Sequence, residues 1–134
     1  MERVSVVMPA HNEEKRIGTA LESYLRYFLD LKNKNIIDFE IIVVLNNCSD
    51  NTLGVVEKHK CNELRVLNFK RGGKGFAITE GFKEALKENS TLIGFVDADA
   101  ATPPNAFYGL VRNIGSADGI IANRWDSRSK IQPR

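Results

Sequence analysis

Two aspartates one residue apart, Asp97 and Asp99, have the clearest capacity for chemistry in this sequence. They follow an uncharged run, residues 92–96, which predicts a strand buried on both faces. Open parallel sheets bind their ligands at the carboxyl ends of such strands. Two carboxylates there repel each other, and Mg²⁺ or Mn²⁺ relieves the repulsion while it binds substrate phosphates. On its own, however, an Asp-x-Asp pair is short enough to be a solvated acidic turn.

The elements that must position these aspartates alternate along the chain between short apolar runs and stretches of helical spacing. Predicted strands cover residues 4–8, 39–45, 64–67, 92–96 and 119–122, with helical stretches between them. Pro9 is expected to stop the first strand. The third strand is one of the shorter ones and is expected near an edge of the sheet. This alternation predicts an α/β, doubly wound, mostly parallel sheet of about five strands with helices on both faces.

Three details of the helices are also predicted. The first helix is expected to begin at Glu13 with Asn12 as its cap, because Asn favours that position and acidic residues favour the first turn. The third is expected to turn its apolar side chains inward, namely Ile78, Phe82, Ala85 and Leu86. The Thr102-Pro103-Pro104 segment predicts the start of the fourth helix.

Polar side chains follow every predicted strand. In chain order these clusters are His11, Asn12 and Glu13; Asn46, Asn47 and Asp50; Lys70, Arg71 and Lys74; Asp97 and Asp99; and Asn123 and Arg124. Because parallel strands end on the same side of a sheet, the clusters must lie along one edge. Each cluster alone is weak, since His11 is typical of a turn and Asp50 is as typical of a helix cap as of a ligand. Together they favour a nucleotide-type ligand.

Composition narrows the class of protein. The 134 residues suffice for one domain with a core, and 43% hydrophobic with 27% charged residues is typical of a globular protein. A net charge of +2 argues against nucleic acid as the main partner. No apolar run reaches the roughly 18 residues of a membrane span, and the N-terminus does not resemble a secretory signal. The two cysteines are too few for a disulfide framework, so we expect a reducing cytoplasm.

Several nucleotide chemistries do not fit the motifs. The dinucleotide fingerprint Gly-x-Gly-x-x-Gly does not follow the first strand, where residues 9–13 read Pro-Ala-His-Asn-Glu. The loop at residues 71–75, Arg-Gly-Gly-Lys-Gly, lacks the spacing and the Ser or Thr of a Walker A loop. A Gly-x-Ser-x-Gly elbow is also missing from the sequence. A metal bound to a diphosphate remains, with the metal stabilising the leaving group.

These motifs, in this order, resemble the family-2 glycosyltransferases of the GT-A fold. The resemblance rests on the Pro-Ala-His-Asn-Glu segment, the Ser49-Asp50-Asn51-Thr52 turn, the Arg-Gly-Gly-Lys-Gly loop and the Asp97-Ala98-Asp99 turn. It is nearest to the polyprenyl-phosphate group, which includes the dolichyl-phosphate glucosyl- and mannosyltransferases. It implies an inverting, metal-assisted transferase that uses a UDP- or GDP-linked sugar and a polyprenyl-phosphate acceptor, and it covers essentially the whole chain.

The resemblance also implies roles for individual residues. Those expected to bind the nucleotide-sugar are Pro9, Ala10, Glu13, Asn46, Lys74, Asp97, Ala98 and Arg124, and those expected to bind Mg²⁺ or Mn²⁺ are Asp99 and Asp97. Asn46 stands where the family usually has an aspartate that contacts the base, and a neutral amide there should bind the base more weakly. The sequence shows no substitute for the family's carboxylate that activates the acceptor.

The organisation that follows is a nucleotide-sugar-binding domain at residues 1–123 and a polar tail at 124–134, expected to be mobile. The chain looks like the donor-binding half of an enzyme in the cytoplasm, or peripheral at the cytoplasmic face of a membrane. The open edge of the sheet makes a homo-oligomer plausible. The alternatives are a non-catalytic nucleotide-binding or assembly module and, last, a nucleotidyltransferase, which would want a glycine-rich basic loop after the first strand.

Overall fold

Strands and helices alternate through the part of the chain that the computed structural model describes, residues 2–114. Its elements are β1 (Glu2–Ala10), α1 (Ile17–Asn33), β2 (Ile37–Asn46), α2 (Thr52–Glu57), β3 (Leu64–Phe69), α3 (Lys74–Lys87), β4 (Leu92–Phe95) and α4 (Pro104–Ile114). The predicted strand at 119–122, Arg124 and the predicted tail lie outside the described residues.

The strands form one parallel sheet in the order β3-β2-β1-β4. In the register of the sheet, Val4 of β1 lies opposite Phe39 of β2 and Leu92 of β4. The parallel sheet and the edge position of β3 confirm the predictions. Since each strand runs in the same direction, the loops after β1, β2, β3 and β4 all leave the sheet at its carboxyl edge.

Helices cover both faces of the sheet, as predicted. Val4, Val6 and Met8 of β1 belong to the core that includes buried residues of α1, α2 and α4. Val7 points to the other face, where it joins the core formed with α3. This alternation of apolar side chains along one strand is what a sheet buried on both faces requires.

Helix α3 lies close to the sheet because Gly81 faces it. A Cβ at this position would lie 2.3 Å from Cγ1 of Val7 and 3.2 Å from Cγ2 of Val44, distances that need the helix or strand to shift. Absence of a side chain therefore lets α3 approach β1 and β2 directly. The approach sets where the first residue of the helix, Lys74, meets the carboxyl edge.

The aromatic core holds α1 against α4 and the loop that precedes it. Tyr24 of α1 lies 5.9 Å from Phe107 of α4 between ring centroids, in an edge-to-face arrangement. Its hydroxyl donates a hydrogen bond to the Thr102 carbonyl at 2.7 Å. Burial raises the pKa of this hydroxyl, which stays protonated as the donor. Helix α4 begins at Pro104, which confirms the start predicted from the Thr-Pro-Pro segment.

The prediction that Pro9 stops the first strand was wrong, because β1 continues to Ala10. In a parallel strand, alternate residues direct their backbone groups to the same neighbour. Val7 accepts the hydrogen bond from the Val96 N–H at 2.9 Å, so Pro9 also faces the β4 side. Strand β4 ends at Phe95, opposite Val7, and the missing N–H of Pro9 therefore breaks no ladder bond.

The predicted start of the first helix was also wrong. Helix α1 begins at Ile17, and Arg16 rather than Asn12 precedes it. Asn12 instead accepts hydrogen bonds at Oδ1 from the N–H groups of Ser49 (2.7 Å) and Asp50 (3.2 Å), in the loop after β2. Tertiary contact between two loops thus replaces the local cap that the sequence suggested.

The inward position predicted for Leu86 was wrong as well, since its side chain is 65% exposed. The buried residues of α3 are Ala77, Gly81 and Ala85, with Ile78 and Phe82 partly buried beside them. At about 100° per residue, Leu86 lies about 140° around the helix from Gly81. It therefore faces away from the sheet.

Candidate functional site

A cleft of about 540 Å³ opens at the carboxyl edge of the sheet. Each of the four loops that leave this edge contributes to its lining, which consists of Pro9, Ala10, His11, Glu13, Asn46, Asn47, Gly72, Gly73, Lys74, Asp97, Ala98 and Asp99. Its size falls within the range of about 300–1,000 Å³ that is typical of small-molecule sites.

The cleft brings together every predicted site residue that the structure describes, while Arg124 lies outside the described residues. Their roles in binding stay predictions. Four lining residues had no predicted role in binding: His11 and Asn47, which belong to the polar clusters predicted at this edge, and Gly72 and Gly73 of the glycine loop. Each is one or two positions from a predicted residue on the same loop, so adjacency is the signal that would have found them.

Asn46 and His11 are tied together at the junction of β1 and β2. The Asn46 side chain is 5% exposed, and its Nδ2 donates to the Ala10 carbonyl at 3.0 Å. Oδ1 is then the atom of this amide that accepts a hydrogen bond. The backbone carbonyl of Asn46 lies 2.8 Å from Nδ1 of His11. Since a carbonyl only accepts, Nδ1 carries the proton and Nε2 is the acceptor of the neutral ring.

Glu13 enters the cleft from the segment between β1 and α1. Its side chain is 18% exposed, and Oε1 lies 2.7 Å from Nη2 of Arg16. The backbone N–H of Glu13 donates to Oγ1 of Thr52 at 2.9 Å, and its carbonyl accepts from the N–H of Ile17 at 2.8 Å. The backbone of Glu13 is thus fixed from both sides although it precedes the helix.

The acidic turn after β4 faces the first residue of α3. Asp97 forms an ion pair with Lys74, whose ammonium also lies 5.8 Å from the ring centroid of Phe95. The Asp97 side chain is 15% exposed, so the pair is partly shielded from water. Asp99 accepts the N–H of Ala101 at Oδ1 (3.0 Å), which closes the turn.

Backbone conformations of positive φ recur around the cleft, one in each of the four loops. Asn12 has a φ of 52°, Asn47 54°, Gly73 112° and Ala100 65°. Gly and Asn tolerate this region, whereas an alanine there costs about 1 kcal/mol or more. Ala100 directly follows Asp99, so the acidic turn carries strain that the surrounding structure must offset.

Carboxylates outnumber ammonium groups among the described residues that line the cleft, although Glu13 also pairs with Arg16 beside it. Glu13, Asp97 and Asp99 contribute carboxylates and Lys74 contributes one ammonium. Within residues 2–114, no group of three His, Cys, Asp or Glu side chains could hold a metal ion. Asp97 and Asp99 nevertheless fit Mg²⁺ or Mn²⁺, because such ions bind one or two carboxylates and complete their shells with phosphate oxygens and water.

The chain is similar to curated transferases of polyprenyl phosphates. It is 38% identical to a dolichyl-phosphate beta-glucosyltransferase of Trichomonas vaginalis, over 85% of this chain and 34% of the relative. The corresponding protein of Drosophila melanogaster is also 38% identical, over 74% of this chain and 31% of the relative. An undecaprenyl-phosphate 4-deoxy-4-formamido-L-arabinose transferase of Photorhabdus laumondii is 29% identical, over 95% of the chain and 39% of the relative. The chain thus spans about a third of the length of these relatives.

Solved structures share the fold. A mannosyl-3-phosphoglycerate synthase from Rubrobacter xylanophilus has a TM-score of 0.66 and 22% identity, over 89% of this chain and 38% of that protein. The second structure is a glucosyl-3-phosphoglycerate synthase from Mycobacterium tuberculosis in complex with Mn²⁺, UDP and phosphoglyceric acid. It has a TM-score of 0.63 and 25% identity, over 89% of this chain and 41% of that protein. They confirm the GT-A type of α/β fold predicted from the sequence.

A family model matches nearly the whole chain, from residue 5 to residue 133. This match includes all four described strands apart from the first residues of β1, together with every residue of the cleft. The chain therefore belongs to glycosyl transferase family 2.

Proposed function

We propose that this chain is the donor-binding part of an inverting, metal-assisted transferase that moves a hexose from a nucleotide diphosphate to a polyprenyl phosphate. The observation that carries the proposal is the meeting of residues from four separate strand ends in one cleft of about 540 Å³. The names of the similar dolichyl- and undecaprenyl-phosphate transferases support the acceptor class. The Mn²⁺ and UDP in the mycobacterial structure support the donor class.

The base and ribose would occupy the side of the cleft formed by β1 and β2. Pro9 and Ala10 supply apolar lining there, and Glu13 supplies a carboxylate for ribose hydroxyls. Asn46 would accept an N–H of the base at Oδ1, since the bond from its Nδ2 to the Ala10 carbonyl fixes the orientation of the amide. Uracil and guanine both carry a ring N–H of this kind, so both UDP and GDP belong in the test.

The diphosphate would lie between Lys74 and the acidic turn. A diphosphate adds negative charge to a lining that already carries three carboxylates and one ammonium. A divalent cation on Asp99 and Asp97 would offset this repulsion and stabilise the leaving diphosphate. Lys74 would then exchange its ion pair with Asp97 for a phosphate oxygen.

Transfer in the inverting sense replaces one bond at the anomeric carbon. A phosphate oxygen of the acceptor forms the new C–O bond as the bond to the diphosphate breaks, and the nucleoside diphosphate leaves. The described residues of the cleft serve to bind the donor and orient its anomeric carbon. None of them is assigned to activation of the acceptor.

A polyprenyl phosphate places the reaction at a membrane surface, and we propose the cytoplasmic face. In the described part of the chain, no helix has the length and apolar character to cross a bilayer. Membrane association follows from the lipid nature of the acceptor and is tested by fractionation of cells that express the tagged protein. The cytoplasmic face is tested by protease accessibility in sealed vesicles.

Titration calorimetry with UDP and GDP, each with and without Mn²⁺, tests the proposed donor site. We expect wild type to bind at least one of them in a metal-dependent way, and Asp99→Asn to weaken that binding by about tenfold or more. Asn retains the oxygen that accepts the Ala101 N–H, so the turn should survive. Asp30→Asn makes the same charge change at a 59% exposed site on α1 and serves as the control.

Two results would contradict the proposal. One is a wild type that binds neither nucleotide at millimolar concentration. The other is metal-independent binding that Asp99→Asn leaves unchanged.

A further inference from the structure

Four side chains connect the loop after β1 with the loop after β2 and the first residue of α2, and we call them the loop latch: Asn12, Glu14, Asp50 and Thr52. Asn12 accepts the N–H groups of Ser49 and Asp50 at its side-chain oxygen. Glu14 accepts the N–H of Asn51 at 2.6 Å, and its own N–H donates to Asp50 at 3.3 Å. Hydrogen bonds therefore cross between the two loops in both directions.

Thr52 is the inner member of the loop latch. Thr52 is 0% exposed. Its hydroxyl donates to Oδ1 of Asp50 and accepts the backbone N–H of Glu13 at 2.9 Å. Asp50 also accepts the backbone N–H of Thr52 at 3.0 Å. Burial raises the pKa of Asp50, but its hydrogen bonds from Thr52 and Glu14 outweigh this, and its pKa lies below the ordinary value.

These contacts lead to the cleft. Glu13 precedes α1, which begins at Ile17, so its N–H takes no part in the hydrogen bonds of the helix. Asn12, the residue before it, has a φ of 52°, which sets the direction in which the chain enters the cleft. The Thr52 hydroxyl is therefore the group that holds the backbone of Glu13 from the side of α2.

We propose that Thr52 and Asp50 are positioning residues for donor binding, acting through the backbone of Glu13. This proposal rests on the proposed function, in which the carboxylate of Glu13 contacts the bound nucleotide. Neither Thr52 nor Asp50 lines the cleft, and the direct link from this pair to Glu13 is the hydrogen bond that the Glu13 N–H donates to the Thr52 hydroxyl. A positioned carboxylate binds better than a mobile one, because less motion is lost when the ligand arrives.

Ser5 provides a matched control at the opposite edge of the sheet. It is also 0% exposed, and its hydroxyl donates to the carboxylate of Glu40 at 2.9 Å. Removal of the Ser5 or the Thr52 hydroxyl therefore deprives one carboxylate of one buried hydrogen-bond donor. Only Thr52 is linked to the cleft through Glu13.

The experiment compares Thr52→Val, Thr52→Ser and Ser5→Ala by melting temperature and by the dissociation constant for the nucleotide that wild type binds in the presence of Mn²⁺. Thr52→Val should weaken binding roughly fivefold to tenfold, the effect of about one hydrogen bond. Thr52→Ser should restore binding to within about twofold, since it keeps the hydroxyl. Ser5→Ala should lower the melting temperature without changing the dissociation constant.

A second variant covers the case in which Thr52→Val does not fold. Asn12→Gly keeps the positive φ and removes both acceptor contacts to the second loop, at an exposed position. It should weaken binding roughly threefold or more and increase amide hydrogen exchange at Glu13 and Glu14.

The outcomes separate this proposal from the proposed function. A wild type that binds no nucleotide refutes the proposed function and, with it, the role of the loop latch. A wild type that binds normally, with equal affinity in Thr52→Val and Asn12→Gly, refutes the loop latch alone. A loss of affinity in Ser5→Ala as large as that in Thr52→Val would mean that the effect is one of general stability, and would refute it too.

Discussion

The two edges of the sheet both gather charged side chains, but they use them differently. At the amino edge, a hollow of about 380 Å³ is lined by three basic side chains, Arg3, Lys32 and Arg65, and four acidic ones, Asp38, Glu40, Glu63 and Glu88. At the carboxyl edge, the cleft has three carboxylates and one ammonium. In the first set each acidic side chain pairs with a basic one of the same set, so the charges balance there. In the cleft, Glu13 pairs with Arg16, which lies outside the lining, and Asp97 pairs with Lys74.

Contacts within the amino edge show what that balance does. Arg3 lies 2.7 Å from Asp38, and Lys32 lies 2.7 Å from Glu63. Glu40, which is 3% exposed in the middle of the group, accepts the Ser5 hydroxyl and lies within 3.5 Å of both Arg3 and Arg65. These charges stabilise one another across the starts of β1, β2 and β3. The charged groups of the amino edge therefore interact mainly with one another, and their ion pairs account for the cluster without a ligand.

The largest effect we expect comes from Glu40→Ala at the amino edge. It leaves Arg3 and Arg65 beside a cavity without their shared carboxylate, and we expect a loss of about 2 kcal/mol in the free energy of unfolding. Urea denaturation measures this loss, and Glu40→Gln should lose less because it still accepts the Ser5 hydroxyl. Nucleotide affinity should stay unchanged in both variants. A weaker affinity would break the separation of the two edges.

Lys74→Met should have the opposite profile. Removing the ammonium makes the cleft more negative, and we expect nucleotide binding to weaken by about tenfold. Stability should change by less than about 0.5 kcal/mol, because the Lys74 side chain is 45% exposed and ion pairs of exposed side chains contribute little. Lys83→Met is the control. Lys83 lies on the same helix, its side chain is 62% exposed, and it forms an ion pair with Glu80. Equal affinities in the two variants would remove Lys74 from the proposed site.

The sequence predicts the meeting of residues at the carboxyl edge because topology alone requires it. Once the strands are parallel, Glu13, Asn46, Lys74 and Asp97 must follow their strands on the same side. That inference needs no side-chain detail, and the cleft contains all of these residues. The apolar periodicity that defines the strands is a local property and can be read directly.

Contacts between loops could not be predicted in the same way. Asn12 is a good helix cap by local rules, yet its oxygen accepts N–H groups of the β2–α2 loop, which lies more than 30 residues away in the chain. The sequence around Glu40 predicts an apolar strand. That Arg3 and Arg65 flank Glu40 follows only from the pairing of the strands in the sheet. Such choices depend on which elements become neighbours, and local propensity does not contain that information.

Acid should affect the amino edge through its carboxylates. The hydrogen bond from Lys32 lowers the pKa of Glu63 below its ordinary value of 4.5. A carboxyl whose pKa is lowered by folding stabilises the fold above the ordinary value, and this contribution is lost as the pH falls below it. We therefore expect the melting temperature to drop as the pH falls below about 4.5, and Glu63→Gln to show a shallower drop. An equally steep drop in Glu63→Gln would assign the acid sensitivity to other carboxyls.

The smallest expected effect concerns strain in the acidic turn. Ala100 directly follows Asp99 and has a φ of 65°. At the amino edge, the positions of positive φ after α1 and α3 are occupied by asparagines, Asn35 and Asn89. Asn tolerates this conformation better than Ala, so Ala100→Gly should relieve strain of about 1 kcal/mol and lose about half of that to chain entropy. We expect a net gain of about 0.5 kcal/mol in stability and roughly twofold weaker nucleotide binding, because the turn that holds Asp99 becomes less rigid. Asn89→Gly, which changes a residue of similar φ at the amino edge, should leave binding unchanged. If Ala100→Gly gains stability and keeps full affinity, the strain has no part in positioning Asp99, and the conformations of positive φ at the two edges are equivalent for binding.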